Sequence, residues 1–195
     1  MSGRNVEYLS LEEVEALGFR ALGRDVLIHR TAVIVGCERI SLGAMVRIDP
    51  FTLISAGASV SIGSYVHVSA YASLVGSAEI VVGNYCNLSF GTRILSSSDD
   101  FSGVSMTGPQ VPDEYRNVHV APVRIGHHAI LGAGTVVLPG MQIGEGVATG
   151  VSTLVNRSLA PWTIYVGTPA RRLRERRRDL LEAANAFELR NERQA

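Results

Sequence analysis

The feature that most constrains this chain is an aliphatic residue at every sixth position, sustained over most of its length. Six units each begin with an aliphatic-glycine pair, and steps of six from each pair give 18 positions, of which 17 are Ile, Leu or Val. This period fits neither an amphipathic helix nor a simple strand meander. It predicts an all-β solenoid whose triangular coils stack these side chains in columns. The positions are Leu22, Ile28, Ile34; Leu42, Ile48, Ile54; Ile62, Val68, Leu74; Val82, Leu88, Ile94; Ile125, Leu131, Val137; and Ile143, Thr149, Val155.

Short helices are predicted on both sides of the repeat. Ser10 and Glu13 have the spacing of a helix capping box, so a helix is expected there with Leu11, Val14 and Leu17 turned inward. A second amphipathic helix is expected from about Leu173 to Leu189, with Leu173, Leu180, Leu181, Ala184 and Phe187 on one stripe. The predicted organisation is a helical cap over residues 1–21, a solenoid over 22–168 and a C-terminal helix over 169–195.

The hexads fail over residues 96–122, between the fourth and fifth units. A break of this length in so regular a repeat is usually functional. Phe101, Met106 and Tyr115 supply apolar side chains that would pack the segment down, so an ordered loop is expected rather than a disordered insertion.

Composition excludes several classes of protein. Acidic and basic residues balance at 18 each, which argues against a nucleic-acid-binding protein. Every basic residue is Arg, so lysine Schiff-base chemistry is excluded. Cys37 and Cys86 have no CxxC spacing and are expected to be small buried residues in a reducing compartment. No apolar stretch is long enough to span a membrane, and the N-terminal residues do not resemble an export signal, so the cytoplasm is expected.

From Leu22 to Arg174 the sequence resembles the hexapeptide-repeat acyltransferases, with sustained hexads followed by the terminal segment Val166-Gly167-Thr168-Pro169-Ala170-Arg171. The resemblance implies a left-handed parallel β-helix of about six coils. It also implies a homotrimer with active sites between subunits, acetyl-CoA or another acyl-CoA as co-substrate, and no metal.

The resemblance also places the acyl-CoA site on the last coils. Small residues there would let the thin pantetheine chain lie against the backbone, and the fixed charge of arginine suits the nucleotide phosphates. Most of the six arginines between Arg171 and Arg178 are expected to be solvated, with one or two touching coenzyme A. The implied donor residues are Gly132, Ala133, Gly150, Val151, Asn156, Arg157, Thr168, Pro169, Arg171 and Arg174.

The acceptor side departs from the galactoside and xenobiotic acetyltransferases, which carry a catalytic histidine where the fourth coil enters the loop. Here Asp99, within one residue, occupies that place. A sugar hydroxyl needs a general base to attack a thioester, whereas a neutral amine already has its lone pair. An amine acceptor is therefore favoured, with Asp99 and Asp100 binding its ammonium or taking its proton. The alternative is that Asp99 caps the loop and Asp100 is solvated.

The same region is similar to a narrower group, the N-acyltransferases of nucleotide-linked 4-amino-4,6-dideoxy sugars. The similarity implies roles for Ser89 at the acceptor and for His67, which would be a base, an acceptor ligand or a structural histidine. Further acceptor contacts are expected from Asn87, Tyr71 and Phe101. The shared segments are Asn87-Leu88-Ser89, Asp99-Asp100-Phe101-Ser102-Gly103, Gly108-Pro109 and Tyr115-Arg116-Asn117-Val118.

Three other functions remain open. The first is O-acetylation of a sugar or polysaccharide hydroxyl with His67 or Asp100 as base, and the second is a non-catalytic trimeric scaffold. The third is a gamma-class carbonic anhydrase, whose signature needs a second zinc-binding histidine five residues after the first. His127 matches the first place, but Gly132 occupies the second.

Overall fold

A computed structural model describes residues 7–192 of the protein. The chain forms a left-handed β-helix whose three flat sides are parallel sheets of very short strands. Six coils are complete and a seventh is partial, so the solenoid is slightly longer than the six hexad units predict. The class of fold predicted from the repeat is confirmed.

Each complete coil contributes one strand to each side. The first sheet contains β1 (Ala21–Leu22), β4 (Ile40–Leu42), β7 (Val60–Ile62), β10 (Ile80–Val82), β15 (Val123–Ile125) and β18 (Gln142–Ile143). The second contains β2 (Leu27–Ile28), β5 (Arg47–Ile48), β8 (His67–Val68), β11 (Asn87–Leu88), β16 (Ile130–Leu131), β19 (Ala148–Thr149), β21 (Thr163–Val166) and β22 (Arg171–Glu175). The third contains β3 (Val33–Val35), β6 (Leu53–Ala56), β9 (Ser73–Gly76), β12 (Arg93–Leu95), β17 (Val136–Val137) and β20 (Leu154–Val155). The second sheet is extended by β21 of the partial coil and the antiparallel β22.

The hexad residues form the core. Most are fully buried, and only Leu22 and Ile34 of the open first coil are partly exposed. Thr149 is the one polar member of the columns, and its Oγ1 accepts from Gly132 N at 3.0 Å and lies 2.8 Å from Thr135 Oγ1. Because the hydroxyl is hydrogen-bonded, it is tolerated inside an otherwise aliphatic column.

The corner between the first and second sheets carries stacked rings. Tyr65, Tyr85 and His128 all have positive φ, near 58°, and successive rings lie 5.1 and 5.0 Å apart. The preceding glycines allow the coils to approach. A Cβ on Gly83 would lie 2.7 Å from His127 N, which is too close for any larger residue.

The N-terminal helix α1 (Leu11–Ala16) begins at the predicted capping box. Ser10 Oγ accepts from Glu13 N, and the Glu13 carboxylate accepts from Ser10 N. Only Val14 is buried, however, while Leu11 and Leu17 remain substantially exposed. The prediction that all three leucine and valine positions face inward is therefore wrong for the two leucines, because this one-and-a-half-turn helix covers only the open end of the first coil.

The C-terminal region differs from the sequence prediction. Residues Arg171–Glu175 form β22, which pairs antiparallel with β21, and helix α2 (Leu180–Glu192) begins seven residues later than expected. Leu173 therefore lies on a strand. The unpaired backbone groups of the last strand, β21, offer hydrogen bonds that outweigh the weak helical pattern of these residues.

The loop 96–122 leaves the solenoid through a two-stranded hairpin, β13 (Ser97–Ser98) with β14 (His119–Val120). The part of the chain that the structure describes also contains two short 3₁₀ helices, at Cys37–Arg39 and, within the loop, at Asp113–Tyr115. The coils on either side are in direct contact, since β12 pairs with β17 and β10 with β15. Phe101, Met106 and Tyr115, which are expected to anchor the loop, are largely exposed within a single chain.

The core columns give a direct test of the fold. Replacing the fully buried Leu74 by Ala is expected to lower the free energy of unfolding by about 2–5 kcal/mol, because a cavity remains in a close-packed column. The matched variant Leu189→Ala, at an exposed helix position, should change it by less than about 0.5 kcal/mol. Denaturant unfolding at equal protein concentration measures both, and equal losses would contradict the assignment of the columns.

Candidate functional site

A column of polar side chains runs up the outer face of the second sheet. His67 pairs in register with Arg47 on the coil below and with Asn87 on the coil above. Two residues further along the same coils, Ser69 N donates to Leu88 O and Ser89 N to Leu131 O. Because parallel coils stack at about 4.8 Å, the polar groups of coils two to four form one continuous strip.

Asp49 lies at the lower end of this strip and connects its groups. Its Oδ2 lies 2.8 Å from His67 Nε2, and its Oδ1 accepts from Arg47 Nε at 2.7 Å and from the Tyr8 hydroxyl at 3.2 Å. Burial alone would raise the pKa of Asp49, but the hydrogen bonds from His67 and Arg47 outweigh it and hold the pKa below its usual value. The carboxylate is therefore ionised at neutral pH. Burial and the neighbouring Asp49 raise the pKa of Tyr8.

Asn87 has an unused polar atom above His67. Its Oδ1 is buried and has no hydrogen-bond partner among residues 7–192. A buried acceptor left unpaired is costly and rare in proteins. This atom therefore lacks a hydrogen-bond donor that residues 7–192 do not supply.

Tyr71 belongs to a second, exposed ladder of rings beside the polar strip. Its ring lies 5.1 Å from that of Phe51 and 5.2 Å from that of Phe90, and all three are more than half exposed. At the same corner of the next coil up, Ala133 and Gly134 follow these rings, since Gly134 N donates to Phe90 O. The change from rings to small residues thus lies beside Ser89.

The two adjacent aspartates of the loop have different surroundings. Asp100 accepts from Ser102 N at 2.8 Å, from Ser105 N at 3.1 Å and from Ser105 Oγ at 2.8 Å. These bonds hold the pKa of Asp100 well below its usual value. The Asp99 carboxylate is exposed and accepts no hydrogen bond from the described part of the chain. Asp100 thus caps the loop and Asp99 is open, the reverse of the alternative considered from the sequence.

The structure does not bring all predicted acceptor residues together in one chain. His67, Asn87 and Ser89 share the polar strip on the second sheet. Asp99 instead lines a separate pocket of about 300 Å³ at the base of the loop, with Ser77, Ser97, Ser98, Pro109, Arg116 and Val118. Phe101 is 93% exposed.

The predicted donor residues lie on the upper coils. Gly132 and Gly150 occupy the strip positions above Ser89, and Ala133 and Val151 occupy the adjoining corner. Thr168 Oγ1 donates to Ser152 O at 2.8 Å, and Arg157 donates to Ala170 O at 2.9 Å. Asn156, Arg157, Pro169, Ala170 and Arg171 line an open pocket of about 270 Å³.

The C-terminal arginines divide into structural and free groups. Arg176 NH1 donates to His128 O at 2.8 Å and to Gly146 O at 3.1 Å, and Arg178 lies over the Trp162 ring at 5.3 Å. Burial lowers the pKa of Arg176. Arg171 and Arg174 are exposed on β22 and form no salt bridge with residues 7–192, so their charges are available to an anionic ligand.

The remaining titratable residues have other roles. His127 Nδ1 accepts from Asn84 N at 2.9 Å, which joins two coils. Residues 7–192 contain no group of three or more His, Cys, Asp or Glu side chains that could hold a metal ion. Cys86 is buried as predicted, and burial raises its pKa to about 11, whereas Cys37 is only partly buried. No helix in the described range is long and apolar enough to cross a membrane.

The sequence patterns do not indicate Asp49 or the two groups that bind it, Arg47 and Tyr8. Only the coil register places Asp49 and Arg47 beside His67, and 41 residues separate Tyr8 from its partner Asp49. The available signal was the spacing of 20 residues, which places Arg47 directly below His67.

No model of a protein family matches the sequence. Over 181 residues the chain is 38% identical to dTDP-4-amino-4,6-dideoxy-D-glucose acyltransferase of Escherichia coli, covering 92% of this chain and 94% of the relative. The structure is similar to AntD, an N-acyltransferase from Bacillus cereus solved with dTDP and 3-hydroxybutyryl-CoA, with a TM-score of 0.92, 39% identity and coverage of 95% and 98%. Galactoside O-acetyltransferase of Escherichia coli K12 is 31% identical over 75 residues, or 37% of each chain.

Fold, site and similarity together define an acyl-coenzyme A-dependent acyltransferase of the left-handed β-helix class. Within that class, the chain belongs to the family of nucleotide-sugar N-acyltransferases that includes the dTDP-4-amino-4,6-dideoxy-D-glucose acyltransferases. The resemblance drawn from the sequence is confirmed.

The different roles of the two aspartates can be separated by proteolysis. Asp100→Ala removes three hydrogen bonds from the loop, so thermolysin should cleave beside the exposed Phe101 and Val104 several-fold faster than in the unmodified protein. Asp99→Ala, one residue away, should leave the cleavage rate unchanged. Mass spectrometry of the fragments measures both rates, and equal acceleration by the two variants would show that Asp100 does not hold the loop.

Proposed function

We propose that the protein transfers an acyl group from acyl-CoA to the amino group of a nucleotide-linked 4-amino-4,6-dideoxy sugar. The observation that carries this proposal is the open Asp99 carboxylate at the entrance of the loop. An anion there favours an acceptor that is cationic in solution. Similarity over nearly the whole chain to enzymes named for a dTDP-linked amino sugar supports the same acceptor, with thymidine diphosphate as the nucleotide.

The acyl donor is assigned to the upper coils. Gly132, Ala133, Gly150 and Val151 leave the backbone accessible to pantetheine, and Thr168 and Pro169 continue that surface. Asn156 and Arg157 border the pocket beyond it, with Arg171 and Arg174 facing the phosphates. Solved structures of AntD containing coenzyme A or an acyl-CoA support the choice of donor.

The acceptor is assigned to the polar strip below. Ser89 lies one coil beneath Gly132, so a thioester over the small residues and a sugar amine over Ser89 would be neighbours. The free Oδ1 of Asn87 accepts a hydrogen from the amine, and the Tyr71 ring offers a flat surface to the sugar. Solved structures of AntD include variants of one serine and of one aspartate, the residue types of Ser89 and Asp99, which we assign to acceptor binding.

The reaction needs no covalent enzyme intermediate. The amine nitrogen attacks the thioester carbonyl carbon, the C–N bond forms, and the C–S bond then breaks to release coenzyme A. Asp99 binds the acceptor as an ammonium ion, which gives up one proton to solvent before its nitrogen attacks. The second proton, lost by the nitrogen as the C–N bond forms, passes to a base of the site, for which we assign His67, and the departing thiolate takes this proton to leave as the thiol. Most of the rate acceleration comes from positioning.

The complete site requires a second copy of the chain. Phe101 and Val104 are 93% and 87% exposed, and Val33, Val35 and Leu53 form an exposed apolar row on the third sheet. Apolar surface of this kind marks an interface between proteins. We place the loop of one subunit against the neighbour in a homotrimer, so that Asp99 and Phe101 of one chain meet His67 and Ser89 of another. The acyl-CoA co-substrate favours a cytoplasmic reaction.

An acceptor panel tests the function. Thiol release from acetyl-CoA and 3-hydroxybutyryl-CoA should occur with dTDP-4-amino-4,6-dideoxyglucose and be at least about 100-fold slower with its 4-hydroxyl counterpart, because a hydroxyl needs stronger base catalysis. A simple galactoside serves as a second hydroxyl control. Turnover confined to the hydroxyl compounds would contradict the amine assignment and favour O-acetylation instead.

Mixed trimers test whether the site lies between subunits. His67→Ala and Asp99→Ala should each be nearly inactive alone. In trimers that contain both variants, one interface in three would combine an intact His67 with an intact Asp99. Co-expression in equal amounts should therefore restore about one quarter of the activity of the unmodified trimer.

A matched pair of variants on the same side of the interface provides the control. Mixing His67→Ala with Ser89→Ala should restore no activity, since both residues lie on the same chain. Failure of the first mixture to regain activity, in trimers shown to be mixed by mass spectrometry, would place the whole site within one chain.

A further inference from the structure

Asp49 is a residue that neither the sequence patterns nor the similarities to known proteins assign to the reaction. The carboxylate is ionised and 13% exposed, whereas the His67 side chain beside it is 39% exposed. The imidazole therefore presents one nitrogen to a buried anion and its other edge to the strip where the acceptor is placed. The inference rests on the function proposed above.

We infer that Asp49 is a positioning residue that fixes His67 in the tautomer carrying its proton on Nε2. The Asp49 Oδ2–His67 Nε2 distance of 2.8 Å is that of a hydrogen bond, and an ionised carboxylate can only accept. Nε2 must therefore donate. In a neutral ring the lone pair then lies on Nδ1, which becomes the only nitrogen of His67 able to take a proton.

The other edge of the ring is placed to use this lone pair. Ser69 Oγ lies 3.5 Å from His67 Nδ1, and Ser89 occupies the next coil above Ser69. A proton leaving the amine above Ser89 thus has a path towards Nδ1, either directly or through a hydroxyl. When Nδ1 accepts it, the imidazolium formed is stabilised by the adjacent Asp49 anion.

Two groups hold Asp49 in this role. Arg47 Nε and the Tyr8 hydroxyl both bind Oδ1, which leaves Oδ2 for His67 alone. The Arg47 guanidinium also lies 5.6 Å from the centre of the Tyr8 ring, which ties the N-terminal segment to the second coil. The groups that face His67 are thus Asp49 and Arg47 from the coil below, Asn87 from the coil above, and Ser69 on its own coil.

The variant that isolates this role is Asp49→Asn. An asparagine of the same size would turn its NH₂ towards Nε2 and favour the proton on Nδ1, the wrong tautomer for a base. Acyl transfer to the amine should then lose about 10²- to 10⁴-fold in kcat, the range for removal of a general base, with KM for both substrates nearly unchanged. Glu79→Gln, the same change in the Arg124–Glu79 pair on the first sheet, should leave kcat unchanged.

A spectroscopic signature distinguishes positioning from loss of structure. In protein labelled with ¹⁵N-histidine, the His67 signal, assigned with His67→Gln, should show Nε2 protonated in the unmodified enzyme and Nδ1 protonated in Asp49→Asn. Tyr8→Phe removes a bond to Asp49 but not the bond to His67, so it should keep the Nε2 tautomer.

The results separate this inference from the proposed function. An unchanged tautomer in Asp49→Asn, or a loss of kcat that follows a loss of folded trimer, would overturn the role of Asp49. Failure of the unmodified enzyme to use the amino sugar would overturn the proposed acceptor, while the NMR signals would still decide whether Asp49 sets the state of His67.

Discussion

The structure depends on the backbone hydrogen bonds that join each coil to the next. His67 N donates to Cys86 O at 3.0 Å, and Asn87 N donates to Ala129 O at 3.0 Å. Because these ladders are parallel and in register, the number of a residue fixes both its face and its height in the stack. The polar strip from Arg47 to Ser89 therefore exists only because three coils repeat every 20 residues without a slip. A one-residue shift would turn His67 into the core.

The register also links stability to chemistry. Asp49 is a charged residue at the edge of an aliphatic core, and burying it costs free energy unless it is paired. Arg47, Tyr8 and His67 supply that pairing, so the arrangement that makes the carboxylate tolerable also orients the imidazole. The same rule holds for the uncharged Thr149. Its hydroxyl is buried in a hexad column, where it forms hydrogen bonds with Gly132 and Thr135. Asp49 and Thr149 are thus both paired across coils.

The sequence predicted most of what repeats and little of what does not. Hexads are local and periodic. Counting aliphatic residues at every sixth position therefore predicts the sheets, the inward columns and the loop at 96–122. Leu173 was assigned to a helix because its neighbours have helical spacing, and only the open edge of β21 makes it a strand. The roles of Asp99 and Asp100 depend on which carboxylate turns towards Ser102 and Ser105, and adjacent identical residues carry no signal of that choice.

The direct pairing of β12 with β17 and of β10 with β15 has a consequence for how such enzymes diversify. The long excursion between the fourth and fifth coils leaves and returns while the coils on either side of it keep their parallel pairing. The length and sequence of this loop are therefore not limited by the in-register pairing that limits the coils. A segment of different length and sequence can therefore replace it without changing the pairing of the coils to which we assign the acyl donor.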